Sequence, residues 1–72
     1  RLSERVMLGL RLREGFDVES ASRELDLDVR ELLSTHIATL VRQNCLIDEG
    51  DVLRLPPEVV PVADAIAAKL LP

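Results

Sequence analysis

Aromatic residues are almost missing from this chain: Phe16 is the only one, with no tyrosine and no tryptophan. Platforms that stack unpaired nucleic-acid bases need aromatic faces, so that mode of binding is excluded. Cysteine is equally scarce. Cys45 stands alone, which rules out an intrachain disulfide and any cysteine-built metal cluster from one chain. A small domain without such staples suits a reducing, cytoplasmic setting. The three glycines, Gly9, Gly15 and Gly50, are too scattered to form a phosphate-cradling loop. No apolar run approaches the roughly 20 residues of a membrane span, and nothing resembles a signal peptide. Basic residues are a minority, 9 against 13 acidic, for a net charge of −4. Binding to phosphate backbones relies on Lys and Arg displacing counterions. Nucleic acid is therefore a disfavoured partner.

What the chain does have is aliphatic bulk. Hydrophobic residues make up 47% of its 72 positions, enough for the single core of one small domain. A domain of this size buries only about 60% of its unfolded surface, so its stability should be modest.

The segment from Glu4 to Gly15 stands out. At about 100° per residue, Leu2, Val6, Met7 and Leu10 fall on one arc of a helix. Leu8 and Leu12 lie on a second, roughly opposite arc, with Gly9 between the two. A helix that is apolar nearly all round belongs in a core or an interface. A first residue that is Arg1 and not methionine fits a trimmed or processed terminus, but together with the second arc the expectation is that residues 1–72 are a piece of a larger protein.

Capping residues divide the rest of the chain. Ser3 is an N-cap candidate for a first helix over about residues 4–13, with Gly15 as its terminator, and Phe16 then sits in a short extended link. Asp17 caps a second helix near residues 18–25, which carries Val18, Ala21, Ser22 and Leu25 along one face. After the tight turn Asp26-Leu27-Asp28, Asp28 and Glu31 have capping-box spacing. They open the longest helix, about residues 29–43. Its stripe is Val29, Leu32, Leu33, His36, Ile37, Leu40 and Val41, and Asn44 can close it in the left-handed conformation. Residues 46–48 and 52–55 then read as a hairpin around Glu49-Gly50-Asp51, with Leu53 and Leu55 facing one way and Val52 and Arg54 the other. Pro56-Pro57 stops the second strand. A loose turn should follow, with regular helix from about Pro61, where proline is tolerated at the first helical position. This last helix should bury Val59, Val62, Ala63, Ile66 and Leu70.

The order predicts a mostly α domain with a small β-hairpin, winged helix-turn-helix-like with an extra C-terminal helix. Winged helices often read DNA through the start of the second helix of the motif. Here that start carries Asp28 and Glu31 against Arg30, and the wing tip carries Asp48, Glu49 and Asp51 with only Arg54 nearby. Both would repel phosphates, so the faces read as solvated parts of a protein-interaction domain.

Catalytic chemistry finds little support. His36, the sole histidine, is spaced to border the core. An axial haem ligand would need an apolar pocket large enough for a porphyrin. Cys45 lacks an adjacent base, because His36 lies nine residues back, roughly 13 Å along the helix. It reads as a small inward-facing hydrophobe. The acidic pairs lack the twelve-residue calcium-loop pattern.

One resemblance adds to this reading. Glu4, Met7-Leu8-Gly9-Leu10-Arg11-Leu12 and Gly15 resemble the opening of the C-terminal domain of oxygen-independent coproporphyrinogen III oxidase-like radical SAM proteins, a family that includes haem chaperones. The likeness continues through the helix pair, the hairpin from Leu46 to Leu55 and the closing helix. It implies a parent with a [4Fe–4S] cluster and S-adenosylmethionine, and haem where the parent is a chaperone. The family's cluster motif, Cys-x-x-x-Cys-x-x-Cys, cannot lie in a chain with one cysteine. The chaperones' His-Asn-x-x-Tyr-Trp motif is also missing, since Ile37 follows His36. Asn44-Cys45 stands where Gly-Leu is usual, and Pro56 and Val59 replace the typical Thr and Gly. The resemblance thus implies a non-catalytic accessory domain, with no catalytic, cofactor-binding or metal residue here. Its partner would be the radical SAM barrel of its own parent, docked through Leu8, Gly9 and Leu12, where it would help define access for porphyrin or haem. A DNA-binding regulator fragment and a free-standing protein-interaction module are the alternatives.

Overall fold

A computed structural model describes all 72 residues. Four helices, α1 (Leu2–Arg11), α2 (Val18–Leu25), α3 (Val29–Arg42) and α4 (Ala63–Leu70), surround three short strands, β1 (Phe16–Asp17), β2 (Ile47–Asp48) and β3 (Val52–Arg54). The strands form one antiparallel sheet in the order β1-β3-β2. This is the winged-helix arrangement expected, with α4 as the additional helix packed on α1 and α3.

Local chemistry accounts for most element ends. The Asp17 carboxylate accepts from the Ser20 N–H at 2.9 Å, and Asp28 accepts from the Glu31 N–H at 3.1 Å, satisfying donors that each helix start leaves open. Asp26 and Asn44 take left-handed backbone, with φ of 55° and 61°. Beyond α3 the Cys45 N–H reaches the Leu40 carbonyl at 2.9 Å and the Asn44 N–H reaches Val41 at 3.0 Å. These two bonds make a complete Schellman closure. The approach to α4 is a 3-10 turn over Pro57–Val62, the loose turn expected there. Pro61 does not open the helix as expected: it lies inside the 3-10 turn, and regular helix starts two residues later at Ala63.

Three boundaries differ from the sequence reading. Helix α1 starts at Leu2, with Arg1 at the cap position and Ser3 inside the first turn. Leu2 packs against the core, and that contact draws the helix start back past the serine. At the other end α1 stops at Arg11, because Leu12 is already extended. The Phe16 link is a genuine strand: Phe16 pairs with Leu53 and Asp17 with Val52. Gly15 permits this pairing. Its φ is +87°, and a methyl there would lie 2.7 Å from the Leu53 carbonyl oxygen and 2.5 Å from Arg54 Cγ.

Sixteen buried aliphatic and aromatic residues form one core, drawn from every helix and from β1 and β3. Phe16, Leu33, Leu53 and Leu70 are its largest fully buried side chains. Leu53 and Leu55 face inward as the alternation requires, and no polar or charged residue is buried. Four assignments to the core need correction. Met7, Leu32, Val41 and Val62 are all more than one-third exposed. Each lies at the edge of an apolar stripe that is wider than the neighbours available to cover it. Ala67, absent from the expected stripe, is buried in their stead.

Candidate docking face

Helix α1 turns Val6, Gly9 and Leu10 into the core. Leu8 is 63% exposed and Leu12 is 53% exposed. Leu8 lies on the solvent side of α1, and Leu12 is the extended residue that follows the helix. Gly9 is not part of this exposed surface. It is buried, and a Cβ placed on it would come within 2.9 Å of the Phe16 Cα. The small residue lets α1 lie directly on β1, which is an internal role distinct from the docking role read from sequence.

Leu12 opens into a solvent-facing groove of about 420 Å³ between the end of α1 and the 3-10 turn. Leu10, Leu55, Pro57 and Val60 form its apolar surface, and Arg11, Arg13 and Arg54 complete the lining. Val60 is half exposed. Arg11 is ion-paired to Asp64 on α4. Arg54 is held from the hairpin side by two bonds to Glu49, at 3.0 and 2.7 Å. Those bonds keep the Glu49 carboxyl below the usual carboxylate range. Sequence reasoning missed this groove because Val60 and Arg54 lie more than 40 residues along the chain from Leu12. The one available signal was the crowding of valines around Pro61, more than a short helix can bury.

The start of α3 presents a different surface. Arg30 donates to both Asp48 carboxylate oxygens at 2.9 Å and also to the Gly50 carbonyl. The Arg30 bonds pull the Asp48 carboxyl below its ordinary range against a partial loss of solvent, and the Gly50 N–H assists. The basic residue near the start of α3 is thus engaged with the wing. A hollow of about 560 Å³ beside it is lined by Glu19, Asp26, Asp28 and Asp51. These carboxylates do not converge, since no group of three His, Cys, Asp or Glu side chains lies close enough to hold a metal ion.

The cofactors implied by the resemblance do not fit the residues present. Cys45 is half-buried, and its Sγ lies 3.7 Å from the Gln43 carbonyl. A single thiol cannot hold an iron–sulfur cluster, which takes four protein ligands. The His36 Nδ1 donates to the Leu70 carbonyl at 3.1 Å, because a carbonyl can only accept. The hollow beside the ring is about 250 Å³ and includes Thr39, Gln43 and Lys69 in its lining. That is below even the roughly 300 Å³ of small ligand pockets, so the ring does not face a porphyrin-sized cavity.

The family model of the HemN C-terminal domain matches residues 1–62. The chain therefore belongs to the HemN C-terminal domain family. No curated protein and no solved structure matches it.

Proposed function

We propose that this HemN C-terminal domain is a non-catalytic accessory unit of a larger coproporphyrinogen III oxidase-like radical SAM protein or haem chaperone. It packs through Leu8 and Leu12 on the parent's barrel and helps define access for a porphyrin-sized ligand. The [4Fe–4S] cluster, S-adenosylmethionine and any haem belong to the parent outside these residues, and the setting is cytoplasmic. No helix is long and apolar enough to cross a membrane.

The observation that carries this reading is the exposed Leu8/Leu12 pair on a domain whose own core is already closed. Contiguous exposed aliphatic surface is a common sign of an interaction site. The winged-helix topology by itself favours a DNA-binding reading, but Arg30 and Arg54 are paired to Asp48 and Glu49. Neither is free to meet a phosphate without losing its carboxylate.

Two measurements test the proposal. The native gene product, isolated without air, should be several times larger than this chain and carry about four iron and four acid-labile sulfide. In that protein, Leu8→Ser with Leu12→Ser should speed release of the domain by subtilisin while the isolated 72-residue chain stays folded. A small, iron-free product that binds duplex DNA in a salt-dependent manner would replace this reading with the regulator one.

A further inference from the structure

We draw no further inference here: the strongest candidate, the hollow between the C-terminal ends of α3 and α4 that His36, Thr39, Gln43 and Lys69 line without a carboxylate, offers Lys69 as its one fixed charge beside helix ends that already disfavour anions, and nothing in the structure shows what would occupy it.

Discussion

Gly9 and Phe16 occupy one space: a methyl on Gly9 would stand 2.9 Å from the Phe16 Cα, Cβ and Cδ1. The nearest of these includes backbone, so the ring cannot swing aside to make room. Alanine would gain about 1 kcal/mol in helix propensity, and overpacking would cost about 1–3 kcal/mol. Gly9→Ala should therefore lower stability in urea unfolding. A stabilised variant would mean that α1 does not rest on β1 as described.

Gly15 and Gly50 share a positive φ, +87° and +90°, but not the same surroundings. A side chain at Gly50 meets nothing within 4 Å, whereas one at Gly15 runs into β3. Gly50→Ala should cost about 1–2 kcal/mol from backbone strain alone. Gly15→Ala should cost clearly more, because the strand pairing of Phe16 with Leu53 must shift as well. Thermal melts of the two variants side by side would reveal the order, and equal losses would contradict it.

Burial separates two groups of leucines. Leu33 is fully buried, so Leu33→Ala should cost about 2–5 kcal/mol. At about 4–8 °C per kcal/mol for a domain of this size, that shift unfolds a marginal domain near physiological temperature. Leu8→Ser and Leu12→Ser should each stay within about 0.5 kcal/mol of the wild type. Should the two exposed leucines prove as costly as Leu33, they are core residues and no docking face exists.

The Arg30–Asp48 pair carries a pH signature. Asp48 titrates below its ordinary range in the folded chain, against about 3.9 when unfolded. Its contribution is therefore complete above the unfolded value and is lost as pH falls through the folded one. Both side chains remain partly exposed, which limits the pair to about 0.5–1 kcal/mol. The stability gap between wild type and Asp48→Asn should be constant above about pH 5 and close towards pH 2. Glu49 shifts in the same direction through Arg54 and is present in both proteins, so the difference isolates Asp48. A gap that persists at pH 2 would show that Asp48 contributes by some route other than its charge.

Short-range chemistry was legible in the sequence. Asp17, Asp28 and Asn44 act on backbone groups within a few residues of themselves. The helix order, the hairpin at Gly50 and the inward pair Leu53 and Leu55 followed from such local rules and from periodicity. Periodicity also set Leu8 and Leu12 apart from the stripe of Val6 and Leu10.

Only the tertiary structure could decide what depends on residues distant in the chain. Phe16 is a strand because Leu53 lies beside it, and Gly9 is internal because Phe16 lies across it. Met7, Leu32, Val41 and Val62 are apolar at helical spacing, yet no neighbour covers them fully. The arginine-rimmed groove joins the end of α1 to β3 and the 3-10 turn, and the Arg30 clamp spans 18 residues. A one-dimensional pattern records what each segment can bury, while the assembled fold determines which of those faces finds a partner.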